Sequence, residues 1–187
     1  LGFDSLSSVY IDDRKAARQT VETLISLGHK KIAVVGGHRL YSDVSRKRWE
    51  GVLDAMGENG LPIDPEQDYA TAYFSPEGGY QGIMELLQRR REFTAVFTMS
   101  DLMAIGAIRA LKDAGLEVPG DVSVMGFDGL PVYEFLVPRL STVDQPGVAM
   151  AKRSVELLLD TVENKAPARH EAVPFAILFQ ESTGKVK

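Results

Sequence analysis

The chain of 187 residues is 44% hydrophobic and 25% charged, which is typical of a globular protein of one domain or slightly more. Its formal net charge of -5 argues against a role in holding nucleic acid by itself, because that role requires a basic surface. The absence of cysteine excludes disulfides, thiolate metal sites and a cysteine nucleophile and suits a reducing compartment such as the cytoplasm, and no apolar run approaches the ~20 residues of a membrane span.

The first half of the chain alternates helical and strand periods. A helical apolar stripe that begins after Asp13 ends at Gly28, and the β-branched run KIAVVGG (31–37) predicts a buried strand. A second helical stripe holds Trp49, Val52, Leu53 and Met56. It is followed by YATAYF (69–74), which predicts a strand, and by a helix over about 76–90.

The second half continues this alternation and then changes. TAVFTM (94–99) and VSVMGF (122–127) predict strands, and the helix between them has Ile105, Ile108 and Leu111 on its buried face. Past residue 140 we predict extended chain at 140–147, an apolar helix over 148–162, a polar linker at 163–172 and a late strand at 173–182. Alternating strands and helices of these lengths predict an α/β fold with a parallel sheet flanked by helices.

Polar residues follow the strands of this predicted sheet, and in open parallel sheets ligands bind beyond the carboxyl ends of the strands. The loop after the first strand carries Arg46 and Arg48, the next such stretch carries Ser100 and Asp101, and FDG (127–129) carries Asp128. A carboxylate opposite a guanidinium binds vicinal hydroxyls through charge-assisted hydrogen bonds. Phe74, at the end of YATAYF, offers a flat surface for stacking on a ring.

Structural roles also account for the same residues. Asp128 can cap the turn that follows its strand, and Asp101 can cap the next helix. Arg46 and Arg48 can be solvated helix residues, and Phe74 can belong to the core. Residue type alone leaves both interpretations open.

Signals for catalysis and for cofactors are missing from the sequence. The pair Gly36-Gly37 follows a strand, but neither G-x-G-x-x-G nor G-x-x-x-x-G-K-[ST] is present. The three histidines are too scattered for a zinc site, and no G-x-S-x-G elbow exists. We therefore predict that the protein is not an enzyme and uses no metal or cofactor.

Six segments occur in one order along the chain: SLGHKKIAVVGG, RWEGVLDAM, YFSPEGGYQGIMELL, FTAVFTMSDLMAIGAIRALKDAGLEVPGDVSVMGFDGLP, PRLSTVDQP and FQEST. Together they resemble the effector-binding core of the LacI/GalR family of bacterial transcription repressors. The resemblance covers residues 8–184 and is most specific over 94–146. It implies a periplasmic-binding-protein-like fold, in which three crossovers join two α/β lobes and the ligand lies in the cleft.

The resemblance also implies roles for individual residues. Asp128, in GFD, matches the acid that hydrogen-bonds effector hydroxyls or ring nitrogens. Arg48, in R-x-x-G, matches the arginine that holds the effector from the same lobe. Ser100 stands where sugar-responsive members often carry Asn before Asp101, and this departure bears on the identity of the effector.

Three further residues are assigned through the same comparison. Phe74 matches an aromatic residue that stacks on the ligand in some members. Gln145, in VDQP, matches a side chain that reaches the cleft from a crossover, and Asp12, in YIDD, resembles the crossover VDN of the family.

The resemblance implies a division of the chain into four parts: a crossover or linker at 1–12, a C-terminal α/β lobe at 13–143, a crossover and helix of the N-terminal lobe at 144–170, and a returning strand and tail at 171–187. Family members carry a helix-turn-helix and half of the N-terminal lobe before the position that matches residue 1. We therefore expect a complete C-terminal lobe and a partial N-terminal lobe, truncated at the N-terminus.

These observations predict the ligand-sensing domain of a repressor. A small effector, a sugar or a sugar derivative, would bind between the lobes and control DNA binding by the separate helix-turn-helix of a homodimer. The alternative is a periplasmic or secreted sugar-binding protein of an ABC importer, which has the same fold. A signal peptide upstream would favour the importer, and a helix-turn-helix would favour the repressor.

Overall fold

The computed structural model describes residues 6–89 and 92–186. Within these residues the strands are β1 (Ser8–Tyr10), β2 (Ile32–Gly36), β3 (Tyr69–Thr71), β4 (Ala95–Thr98), β5 (Ser123–Met125), β6 (Thr142–Asp144), β7 (His170–Ala172) and β8 (Ala176–Leu178). The α-helices are α1 (Asp13–Ser26), α2 (Asp43–Glu58), α3 (Pro65–Asp68), α4 (Pro76–Arg89), α5 (Asp101–Asp113) and α6 (Gly147–Asn164), and a 3-10 helix spans Pro131–Phe135.

The central sheet is parallel and has the strand order β3-β2-β4-β5. Strands β2 and β4 are buried at every position, because helices cover both faces of a parallel sheet of this kind. The register aligns Ile32 with Ala95 and Val34 with Tyr69. The predicted α/β class with a parallel sheet is confirmed.

The direction of the connections places helices on both faces of the sheet. From β2 the chain passes through α2 to β3 on one side, whereas α4 and α5 lead back across the sheet to β4 and β5. With right-handed crossovers, α2 then lies on one face and α4 and α5 lie on the other. Helix α1 packs against α2, and α4 packs against α5.

The chain forms two compact units. The major unit comprises residues 13–144 and 177–187 and contains the central sheet, helices α1 to α5 and most of the β6-β8 pair. The minor unit comprises residues 145–176 and the described part of 1–12. In the minor unit β1 pairs in parallel with β7, and Arg153 of α6 donates to both carboxylate oxygens of Glu171 at 2.6 and 2.8 Å.

Helix α6 is amphipathic, yet most of its apolar side chains are exposed. Of its residues only Leu157 is buried. The exposed set is Val148, Val155, Leu158, Leu159 and Val162. An apolar face of this size is typical of a surface that another polypeptide segment covers.

Several local predictions need correction. Leu53 is 41% exposed, so it does not belong to the buried face of α2. Ile105 and Ile108 are only half-buried, because α5 packs through small residues such as Ala104 and Ala107 that let it approach its neighbours closely. The predicted polar linker at 163–172 ends in β7, so its last three residues are a strand.

One further prediction is settled in part, and two others are not tested. The strand predicted for YATAYF ends at Thr71, and Phe74 follows it in a loop. The predicted end of the fourth helix near residue 90 lies outside the described residues. The four-part division of the chain stays a prediction.

Within the described residues, no helix combines the length and apolarity needed to cross a bilayer.

Candidate functional site

Arg48 is fixed inside the major unit by three kinds of contact. Its Nε donates to Asp13 Oδ1 at 2.8 Å, and its Nη1 donates to the carbonyl oxygen of Met99 at 2.5 Å. Its guanidinium carbon lies 3.5 Å from the centre of the Phe127 ring, a cation-π contact. Arg48 is 5% exposed, so the interpretation as a solvated helix residue is wrong.

The electrostatics of Arg48 follow from this burial. Burial lowers the pKa of Arg48, and the carboxylates of Asp13 and Asp128 oppose that change. Because a guanidinium stays protonated in proteins, the charge is held in place and must be compensated. The two hydrogen bonds engage Nε and Nη1 of the guanidinium and do not involve Nη2.

Asp128 stands on the loop that follows β5, with an unusual backbone. Its φ of 133° lies in a region that side-chain-bearing residues rarely adopt, at a cost of about 1–3 kcal/mol. The backbone N–H of Asp128 donates to the carbonyl oxygen of Val143 at 2.9 Å, which holds this conformation. Its Oδ1 lies 4.0 Å from Nη1 of Arg48, and its side chain is 29% exposed. A strained acid beside a buried guanidinium is typical of a ligand site.

Asp128 does not cap the 3-10 helix that follows it, whereas its role as a cap of the preceding turn stays a prediction. The 3-10 helix that begins at Pro131 has Leu130 as its N-cap and no side-chain cap hydrogen bond. Gly129, with φ 72°, is required next to Asp128, because a Cβ there would lie 2.4 Å from Oδ1 of Asp144.

Ser100 and Asp101 act within the fold. The N-cap of α5 is Ser100, whose Oγ accepts from the N–H of Met103, so the predicted cap at Asp101 is wrong by one residue. Asp101 is fully buried and accepts from Thr142 Oγ1 at 2.5 Å and from the N–H of Leu130 at 2.7 Å. Burial raises the pKa of Asp101, and these hydrogen bonds oppose the rise.

The bonds of Asp101 show how it affects the candidate site. They join the start of α5 to β6 and to the loop that carries Asp128. Asp101 therefore positions Asp128 indirectly. The ligand-binding roles predicted for Ser100 and Asp101 stay predictions, and both residues are buried.

Phe74 lies beside the N-terminal turn of the helix that carries Arg48. A Cβ added at Gly37 would lie 2.6 Å from Cε2 of Phe74 and 2.5 Å from Oγ of Ser45, so the ring sits directly over this glycine. Phe74 is 41% exposed, which is more than a core residue shows and leaves ring surface for stacking.

Of the remaining candidates, Arg46 does not join this cluster, and Asp12 and Gln145 belong to the other unit. Arg46 lies on the exposed side of α2, where it pairs with Asp43 and Glu50. Asp12 and Gln145 belong to the minor unit, whereas Arg48, Phe74 and Asp128 belong to the major unit. The ligand-binding roles of Asp12 and Gln145 stay predictions.

Asp13, Phe127 and Thr142 were missed from sequence. Asp13 signals only the start of a helix, and 35 positions separate it from Arg48. Phe127 belongs to an apolar run and looks like any core aromatic, and Thr142 belongs to a short extended segment. No local pattern indicates such pairings, because they depend on the tertiary fold.

Comparisons with known proteins identify the family. A model of the periplasmic binding protein-like domain matches residues 21–183. The structure of a LacI family transcriptional regulator from Enterococcus faecium with bound ribose superposes with a TM-score of 0.89 at 31% identity, covering 97% of this chain and 67% of that one. The chain belongs to the LacI/GalR family.

Other LacI/GalR proteins show the same similarity. The transcriptional regulator MalR of Clostridium butyricum is 36% identical over 178 residues, which are 94% of this chain and 52% of MalR. The chain thus spans about half the length of the curated relatives it matches. A complex of the regulator CelR with cellobiose has a TM-score of 0.91 at 30% identity, covering 97% of this chain and 55% of CelR. A dimeric Lac repressor has a TM-score of 0.89 at 27% identity, covering 97% and 66%.

Proposed function

We propose that this chain is the ligand-sensing part of a LacI-type transcriptional repressor, and that Arg48 and Asp128 bind its effector. The buried Arg48 is the observation that carries the proposal. Its Nε and Nη1 donate within the protein, and its guanidinium lies beside the carboxylate of Asp128 at the carboxyl edge of the sheet.

A sugar or sugar derivative suits the chemistry of this edge. A guanidinium donates and a carboxylate accepts, so together they satisfy both functions of neighbouring hydroxyl groups. The partly exposed ring of Phe74 offers apolar surface to the C–H face of a sugar ring. Two of the similar structures, those with ribose and with cellobiose, contain saccharides.

We assign DNA binding to a part of the protein that lies outside this chain. The chain has a net charge of -5 and spans about half the length of its curated relatives, which are named as transcriptional regulators. A cytoplasmic repressor explains these relatives better than an importer component does. In this proposal the effector acts through its different affinities for two arrangements of the protein.

We also propose a homodimer, as in the Lac repressor structure. The segment from the 3-10 helix to Pro138 exposes large apolar side chains, with Phe135 81% and Val137 93% exposed. It lies next to α5, since Val137 and Ile108 line the same groove of about 360 Å³. Exposed apolar surface of this kind marks interaction sites.

Operator binding by the whole gene product tests the regulatory proposal. Fluorescence anisotropy would measure its affinity for the DNA upstream of its own gene, with and without ribose or cellobiose. We expect one saccharide to change the DNA affinity at least fivefold, within the usual range of coupling free energies. If the whole gene product carries a signal peptide and shows no salt-dependent DNA binding, the alternative of a sugar-binding protein of an importer is supported instead.

A further inference from the structure

A second cavity lies on the face of the sheet opposite to α2. Its volume is about 480 Å³, within the range of small-molecule sites. Three segments enclose it: the turn after β2, the residues that follow β3 and one side of α4. The lining residues are His38, Tyr41, Thr71, Tyr73, Gln81 and Glu85, together with Ala72 and Gly82. None of the residues of the Arg48 cluster lines it.

Backbone constraints shape this cavity. A Cβ at Gly82 would lie 2.6 Å from Cγ1 of Val35, so this glycine allows α4 to lie close against β2. On the other side, the N–H of Ala72 donates to the carbonyl oxygen of Gly36 at 2.7 Å. The turn at 38–42 is closed by the N–H of Ser42 donating to the carbonyl oxygen of His38 at 2.9 Å.

Aromatic rings stand at the mouth of the cavity. Tyr41 is 85% exposed and Tyr73 is 87% exposed, although each is a large ring that burial would stabilise. The rings of His38 and Tyr41 pack together with centres 4.3 Å apart. His38 Nδ1 accepts from the N–H of Leu40, so the neutral imidazole carries its proton on Nε2 and can donate.

The polar groups of the lining favour one class of ligand. Hydroxyl, imidazole, carboxamide and carboxylate groups together supply both donors and acceptors. The described lining contains no Lys or Arg, and its one carboxylate, Glu85, pairs with Arg89 on α4, so it supplies no cation for a phosphorylated or carboxylate ligand. Rings that stack and neutral groups that exchange hydrogen bonds suit a saccharide.

We propose that this cavity, lined by Tyr41, Tyr73, Gln81 and Glu85, is a second saccharide site. It takes an uncharged sugar whose apolar face lies on the tyrosine rings and whose hydroxyls bond to Gln81 and Glu85. The proposal stands independently of effector binding at Arg48 and Asp128, because the two sets of residues have no member in common.

Ligand-observed and amide NMR of the 187-residue chain test this proposal with D-ribose, D-glucose and cellobiose as probes. We expect saturation transfer from the protein to at least one sugar, with shifts of the Ala72 and Gly82 amides. The substitution Tyr73→Ala should weaken this binding at least about threefold, since ring contacts of this kind contribute that much. Leu40→Ala is the matched control, because Leu40 is 84% exposed in the same turn but does not line the cavity.

The variant Asp128→Ala distinguishes the two sites. It should leave the Ala72 and Gly82 shifts intact, whatever it does to binding at Arg48, because Asp128 does not line the cavity. The proposal is wrong if no sugar shifts these amides, or if Tyr73→Ala and Leu40→Ala behave alike. Shifts of these amides that depend on protein concentration, without sugar, would mean that a second copy of the chain covers the cavity.

Discussion

At the scale of single residues, the decisive feature is the buried guanidinium of Arg48, which the protein holds in a fixed orientation. Arg48 is held by Asp13, by a backbone carbonyl and by an aromatic face before any ligand arrives. Such preorganisation lowers the entropic cost of binding, because the side chain loses little freedom when the ligand binds. Asp13 is thus a positioning residue for Arg48.

Replacing Asp13 should therefore destabilise the protein strongly. Asp13→Asn leaves the buried guanidinium without its nearest charge, and we expect a loss of about 3 kcal/mol in the free energy of unfolding. Urea denaturation measures this loss. The matched control is Asp43→Asn, which removes a carboxylate from the surface pairs with Arg46 and Lys47 and should cost less than about 1 kcal/mol. Equal losses in the two variants would contradict the role of Asp13.

A second residue makes stability depend on pH. His29 is buried, with one ring nitrogen 2.9 Å from Thr94 Oγ1 and the other 3.0 Å from the carbonyl oxygen of Gly184. Burial lowers the pKa of His29, and the bond to Gly184 opposes this change. The unfolded chain therefore binds a proton at higher pH than the folded protein does.

The expected result is a loss of stability on acidification. The contribution of His29 is complete above about pH 6.5, the ordinary pKa of histidine, and decreases as the pH falls below that value. Urea midpoints measured between about pH 7.5 and pH 5 should fall more steeply in the wild type than in His29→Gln. Parallel curves for the two proteins would show that His29 does not titrate differently in the folded state.

At the scale of elements, the exposed apolar surfaces of the described residues include two on different units. One is the segment that carries Phe135 and Val137 in the major unit, and the other is the outer face of α6 in the minor unit. We assign the first to a contact between two copies of the chain. For the second, the relatives are longer than this chain, and their additional residues would provide a segment that covers the outer face of α6.

Phe135→Lys tests the first assignment. A lysine in place of this 81% exposed ring should leave the melting temperature nearly unchanged but convert the dimer to a monomer in sedimentation equilibrium. Val148→Lys on α6, where Val148 is 88% exposed, is the matched control and should leave the dimer intact. If only the α6 variant dissociates, the contact between copies lies on α6.

At the scale of the whole molecule, the parts that follow from periodicity could be predicted. The buried strands β2, β4 and β5 are continuous apolar runs, and the rule that ligands bind at the carboxyl edge of a parallel sheet indicated Arg48 and Asp128. The structure brings the two residues to one place, with 4.0 Å between their charged atoms.

The parts that depend on tertiary contacts could not be predicted. Ser100 and Asp101 are adjacent residues that can both cap a helix, and the backbone angles decide in favour of Ser100. The pairing of Asp13 with Arg48 spans 35 positions and leaves no local signal. Helix α5 packs through a face of small residues. A sequence pattern based on large apolar side chains instead points to the face of Ile105 and Ile108.

A thermal-shift comparison of the wild type and Asp128→Ala tests the central claim most directly. The ligands would be sugars, sugar phosphates and purines, and Asp43→Ala would serve as a control that removes a surface carboxylate. A ligand at 100 times its Kd should add about 2.7 kcal/mol and raise the melting temperature of wild type by roughly 5–10 °C. We expect Asp128→Ala, but not Asp43→Ala, to lose this rise. A rise of the same size in Asp128→Ala would show that its carboxylate does not bind the effector.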